Sequence, residues 1–152
     1  MRIVLLAVCC LMSIGCSETG FYDQYGNRID LSRPEGGWVV VNYWAQWCEP
    51  CRVEIPELNR LHRASNGVTV LGVSFDGAQT AAELAVQIED MGIQFPVLDR
   101  DPAPALSRKP PVGLPASWIL SPAGRVVEQR LGPQTEAGLL AVIAQHKAGQ
   151  SQ

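Results

Sequence analysis

Cys48 and Cys51 stand three residues apart in the segment Trp44-Ala45-Gln46-Trp47-Cys48-Glu49-Pro50-Cys51-Arg52. The run before them, Trp38-Val39-Val40-Val41-Asn42-Tyr43-Trp44, is apolar, β-branched and aromatic, as in a strand covered on both faces. After them, Val53, Leu58 and Leu61 keep a helical spacing that ends near Asn66-Gly67. A CxxC at a strand-to-helix junction places its first cysteine at the helix amino end, where unpaired backbone N–H groups and the helix dipole favour an anion. This lowers the thiol pKa, and the thiolate is the nucleophile of disulfide exchange. The second cysteine lies about one turn further in, within reach of the mixed disulfide so formed. Cys48 is therefore read as the attacking thiol and Cys51 as the resolving one. A structural zinc site needs four ligands, and His62 and His146 lack finger-like spacing, so no metal and no other cofactor is expected. A purely structural bridge is disfavoured, because so small a loop constrains the unfolded chain little.

The remaining three cysteines, Cys9, Cys10 and Cys16, crowd the amino terminus, MRIVLLAVCCLMSIGC. One Arg precedes an apolar run too short to span a bilayer, which takes about 20 residues, and the order is that of a secretory signal. Ser13-Ile14-Gly15-Cys16 resembles a bacterial lipobox in Gly15 and Cys16 and departs from it at Ser13, where Leu is usual. The expected organisation is a lipoprotein-type signal peptide over 1–15, lipidated Cys16 with a short tether over 16–20, and one domain over 21–148. The alternative is an ordinary signal peptide cut elsewhere. The tether reaches about 15 Å when extended, which keeps the domain close to the membrane. Ser17, in place of an Asp, favours the outer membrane in a Gram-negative source.

At 152 residues the chain suits one domain, and 47% hydrophobic with 18% charged residues is a globular composition. A net charge of −3 without a basic run argues against nucleic acid as a partner. Phe21 to Leu31 reads as a hairpin around Tyr25-Gly26-Asn27, and Val68 to Phe75 as a second buried strand. Thr80 to Met91 is an amphipathic helix stopped by Gly92, followed by a short strand over Phe95 to Leu98. Asp101 to Pro115 holds five prolines and reads as loop with at most one helical turn. Ser117 to Leu120 and Val126 to Leu131 form a hairpin about Pro122-Ala123-Gly124, and Thr135 to His146 is a closing helix. Trp44 and Trp118 belong to the core, Trp38 to core or edge, and Trp47 to the rim of the site. His62 and His146 read as solvated.

WAQWCEPC, Pro56 five residues after the second Cys, and GLPASWILSPAGRVV together resemble the thioredoxin-like fold. More narrowly they resemble the TlpA/ResA branch of membrane-tethered, extracytoplasmic thiol–disulfide oxidoreductases, from Phe21 to about His146. The resemblance implies an α/β fold: a thioredoxin-like mixed sheet with helices on both faces, an amino-terminal hairpin, and an extra strand–helix insertion around Phe75 to Leu98. It implies a redox-active disulfide between Cys48 and Cys51. The pattern Gly113-Leu114-Pro115-Ala116-Ser117 makes Pro115 the cis-proline facing them, holding the Leu114 backbone as an edge for a substrate chain. Pro110 and Pro111 lack the following strand. Trp47, Glu49 and Pro50 line the groove with Leu114. Glu54 matches an acidic position of the branch and could take the proton of Cys51, the alternative being a solvated helix residue. Asn42 falls where thioredoxin has its buried acid and cannot titrate. Arg108-Lys109-Pro110-Pro111-Val112 replaces a more usual Tyr-Gly-Val beside Pro115.

Glu49 places a carboxylate next to the Cys48 thiolate, which holds the thiol pKa above that of strong oxidants and points to a reductant. The expected function is thus a lipid-anchored, extracytoplasmic (periplasmic) reductase of disulfides in exported proteins, an apocytochrome c among the candidates. The resemblance implies recharging by a membrane electron-donor thiol protein. The alternatives are an oxidase or isomerase on the same fold, or a non-catalytic copper-handling or scaffolding lipoprotein. A Sco-like copper site uses CxxxC with a distal His, which this chain does not match. A peroxidase is disfavoured because Ala45 stands where the peroxidase pattern has Thr or Ser three residues before its Cys.

Overall fold

A computed structural model describes residues 20–32, 34, 37–64 and 67–149. The signal peptide, Cys16 and all but the last residue of the tether lie outside the described residues. The elements are β1 (Phe21–Tyr22), β2 (Arg28–Ile29), β3 (Trp38–Trp44), α1 (Glu49–Arg63), β4 (Val68–Ser74), α2 (Ala81–Met91), β5 (Ala116–Leu120), β6 (Val126–Leu131) and α3 (Glu136–Gly149). No helix among the described residues is long and apolar enough to cross a membrane.

The main sheet has the order β4-β3-β5-β6. β3 and β4 are parallel, joined by the α1 crossover, whereas β5 runs antiparallel to β3 and β6 antiparallel to β5. β3 is central and wholly buried because its seven residues alternate between two packed faces. Trp38, Val40 and Trp44 join Leu58 and Leu61 of α1, Leu84 and Ile88 of α2, and Leu139 and Ile143 of α3. Val39, Val41 and Tyr43 face the other way, towards Phe21, Leu31, Leu71, Leu98 and Trp118. Each such aliphatic side chain contributes about 1.5–3 kcal/mol on burial. The mixed sheet and both hairpins follow the expectation. The buried apolar side chains of all three helices join the first cluster, and those of the β1–β2 hairpin and of residues near Leu98 and Ala103 join the second.

Local chemistry explains the connections. Asp23 organises the first hairpin turn: Oδ1 accepts from the N–H groups of Tyr25 and Asn27, and Oδ2 from Asn27 Nδ2. Thr80 caps α2 by accepting from Glu83 N, and Gly92 closes it at φ 65°. Tyr43 donates its hydroxyl to Asp101 Oδ1 at 2.7 Å, which pins the proline-rich segment to the sheet.

Three expectations need correction. Phe95 to Leu98 is not a strand but makes two isolated bridges, Gly72 with Val97 and Asp23 with Leu98. Pro96 has no N–H to donate, and the Val97 N–H is spent on Gln24 Oε1, so no ladder can propagate. His62 is not solvated: it is half-buried against the Phe95 ring edge, Nδ1 has no partner, and desolvation lowers its pKa. His146 lies beside the Trp38 ring with Nε2 3.0 Å from Glu128 Oε2.

Gly72 of β4 sits where the chain packs most closely. A Cβ there would lie 2.9 Å from Val97 Cγ2, 3.0 Å from Trp44 Nε1 and 3.1 Å from Phe95 Cε2. Only glycine lets the Phe95–Val97 segment lie against the sheet edge.

Candidate active site

β3 ends at Trp44, and α1 starts five residues later, so the Cys48 segment is the short link between a buried strand and a helix. Cys48 occupies the N-cap position of α1 with an extended backbone, and its Sγ accepts from Cys51 N at 3.3 Å. Pro50, in the first turn, lacks a donor where none is needed. Cys48 and Cys51 form a disulfide with Cα atoms 5.3 Å apart. Both are buried, whereas Glu49 and Pro50 between them are exposed.

The loop before the pair is held from α1 and from the end of α2. Arg52 donates from Nη2 to Gln46 O and to Asp90 Oδ2, and from Nη1 to Asp90 O. Gln46 Nε2 donates to the same Asp90 carboxylate, and these donors hold the Asp90 pKa below the ordinary range. Trp47 is 66% exposed, and its Nε1 donates to Asp76 Oδ2 at 2.7 Å.

The Leu114–Pro115 peptide is cis. Pairing of Tyr43 with Ala116 and of Asn42 with Ser117 brings Pro115 level with the end of β3, where the cysteine loop begins. Leu114 packs against the cluster that contains Cys48 and Cys51. Gly132 N donates to Pro115 O, which ties this segment to the end of β6.

Glu54 is buried, and this overturns its reading as a solvated helix residue. Asn42 Nδ2 donates to its Oε1 at 2.6 Å and Gln134 N to its Oε2 at 2.9 Å. Burial pushes its pKa up to about 7, with the Gln134 and Asn42 hydrogen bonds opposing the rise. A carboxyl that titrates near neutrality, one helical turn beyond Cys51, can hold a proton and release it at working pH.

Sequence reasoning did not assign Gln134 or Asp76 to this region, and it used Ser117 only as part of the cis-proline pattern. Asn42, read from the sequence as standing in place of thioredoxin's buried acid, and Ser117 are both polar residues inside otherwise apolar strands. Gln134 acts through its backbone N–H, which side-chain chemistry cannot reveal.

The AhpC/TSA family matches residues 16–129 of the chain. The chain belongs to the AhpC/TSA family. Thiol-disulfide oxidoreductase ResA of Bacillus thuringiensis is 30% identical over 130 residues, covering 84% of this chain and 75% of the relative. ResA of Bacillus subtilis is 33% identical over 120 residues, covering 76% and 64%. The thiol:disulfide interchange protein HelX of Rhodobacter capsulatus is 32% identical over 108 residues, covering 70% and 59%. Two solved structures share the fold. A DsbF homologue from Corynebacterium diphtheriae superposes at TM-score 0.67 with 24% identity, covering 83% of this chain and 82% of that one. StoA from Bacillus subtilis does so at 0.64 with 21% identity, covering 79% and 91%. This AhpC/TSA member thus has the thioredoxin-like fold, falls in the TlpA/ResA branch, and is a thiol–disulfide oxidoreductase.

Proposed function

We propose that this protein is an extracytoplasmic reductase of disulfides in exported proteins, anchored by lipid on Cys16, with residues 1–15 as its signal peptide and 21–148 as its one domain. The observation that carries the direction is the setting of Cys48: a buried sulfur, one backbone donor, and the Glu49 carboxylate next in sequence. Burial and a neighbouring like charge both disfavour the thiolate. Strong oxidants owe their potential to a strongly stabilised reduced form, and here burial and the Glu49 carboxylate oppose the stabilisation that the α1 amino end supplies.

In the reaction, the Cys48 thiolate attacks one sulfur of a substrate disulfide and the other substrate sulfur leaves as thiolate. Glu54 takes the proton of Cys51, whose thiolate then attacks Cys48 Sγ and expels the second substrate thiolate. The products are a substrate dithiol and the Cys48–Cys51 disulfide. The extended backbone at Leu114, beside Pro115, is the edge on which the substrate chain pairs, with Trp47, Glu49 and Pro50 lining the approach. Exported proteins with exposed disulfides, apocytochrome c among them, fit this site, and a membrane thiol protein would return the electrons.

The test is the reduction potential, measured by equilibration with glutathione or dithiothreitol. A value near that of thioredoxin, about −270 mV, supports a reductase; one near about −120 mV, the range of strong oxidants, overturns it. The roles of the two thiols are read by trapping. Cys51→Ser should hold substrates covalently on Cys48, and trapping by Cys48→Ser in its place would reverse the assignment.

A further inference from the structure

Asn42 lies on β3 with its side chain directed to the α1 side of the sheet, opposite its register partner Ser117 of β5. Its amide nitrogen donates twice, to Glu54 Oε1 at 2.6 Å and to Ser117 Oγ at 3.2 Å. Its Oδ1 is buried and has no hydrogen-bond partner among the described residues. Ser117 in turn stands two residues beyond the cis Leu114–Pro115 peptide. One side chain therefore touches both the acid beside the disulfide and the strand that carries the substrate edge.

We propose that Asn42 is a positioning residue for the reaction, one whose amide sets the proton affinity of Glu54 and couples that acid's charge state to the Ser117 strand. The inference rests on the reading of Glu54 as the proton acceptor for Cys51. Both oxygens of Glu54 face neutral donors, Asn42 Nδ2 and Gln134 N, and among the described residues it makes no ion pair. Charged residues of the neighbouring elements are paired with one another. On α1, Arg60 pairs with Glu57 and with Glu136 of α3. From β6, Arg130 pairs with Glu128 and donates to the Gln134 side chain. The Gln134 N–H and, after it, the Asn42 amide are the groups that oppose the effect of burial, and of the two only Asn42 is a side chain.

When Glu54 accepts the proton, its O–H needs an acceptor and Asn42 Nδ2 faces a donor. Half a turn of the amide brings Oδ1 to that place, where it accepts from both Glu54 and the Ser117 hydroxyl. Oδ1 gives up no hydrogen bond in turning. The amide nitrogen then becomes the unpartnered group, which costs more than an unpaired carbonyl and returns Glu54 towards the ionised form. No proton is transferred to Asn42; it exchanges one orientation for the other as the proton passes from Cys51 to Glu54.

The test follows the Glu54 carboxyl carbon and the Asn42 side-chain amide by NMR in the oxidised, isotope-labelled chain across neutral pH. In the native chain both should titrate with one midpoint, near 7. Asn42→Leu should raise the Glu54 midpoint by about one pH unit, the effect of losing a hydrogen bond to a charged group. Should that variant fail to fold, the native Asn42 amide still decides: resonances that do not follow the Glu54 midpoint overturn the proposal. An unmoved Glu54 midpoint in folded Asn42→Leu overturns it too. If Glu54→Gln leaves the pH dependence of disulfide exchange unchanged, the catalytic reading of Glu54 fails, while the midpoint shift in Asn42→Leu would still stand.

Discussion

Replacing Glu54 by Gln changes how stability depends on pH. An ordinary glutamate titrates at 4.5, and in the folded chain burial moves Glu54 to about 7. That difference corresponds to about 3 kcal/mol, at 1.36 kcal/mol per pKa unit. Below the unfolded value, both states hold the proton and Glu54 imposes no pH-dependent loss. As pH rises from 4.5 towards 7, the unfolded chain releases the proton while the folded chain keeps it, so stability falls. Above the folded value the loss is complete. Gln carries no such penalty, and the turned Asn42 amide can accept from its NH2. The stability of Glu54→Gln minus that of the native chain should therefore rise by about 3 kcal/mol between about pH 4 and pH 8. Shifts at Asp90, Glu128 and His62 are common to both chains and cancel in the difference. Urea denaturation of the oxidised proteins at a series of pH values reads it directly. A difference that stays flat, or that falls as pH rises, would refute the account of a buried, proton-holding Glu54.

Two further outcomes concern the frame of the site. Gly72→Ala should lower stability by about 1–3 kcal/mol, because Val97, Trp44 and Phe95 leave no room for a Cβ; an unchanged denaturation midpoint would mean that the Phe95–Val97 segment can move aside. Asn59→Ala should cost about 1–3 kcal/mol, since Nδ2 donates to Gly92 O and Oδ1 accepts from Gln94 N at the partly buried end of α2; hydrogen exchange should then speed up at Gln94 before it does in β3.

Much of the site is legible in the chain because its signals are local. The CxxC spacing, the apolar run ahead of it and the Gly-Leu-Pro-Ala-Ser pattern each lie within a few residues, and each element formed where its own residues direct it. The errors share a different origin. Phe95 to Leu98 has strand-like residues, yet its pairing depends on Gln24, distant in sequence, and ends at one bridge on each side. His146 looks solvated on its own helix, but Trp38 and Glu128 approach it from two strands. The two readings of Glu54 stay open in the sequence for the same reason, since helical spacing alone does not show which face of α1 meets the sheet.

By itself the sequence determined which reactive groups the chain carries and in what order: a thiol at a helix start, a second thiol one turn on, a carboxyl after that. The tertiary structure decided what surrounds them. The proton affinity of Glu54 comes from burial, opposed by donors on β3 and the β6–α3 link, at positions 42 and 134. Solvation and hydrogen bonding act through space over a few ångströms, and only the folded chain brings residues so far apart in sequence to that distance.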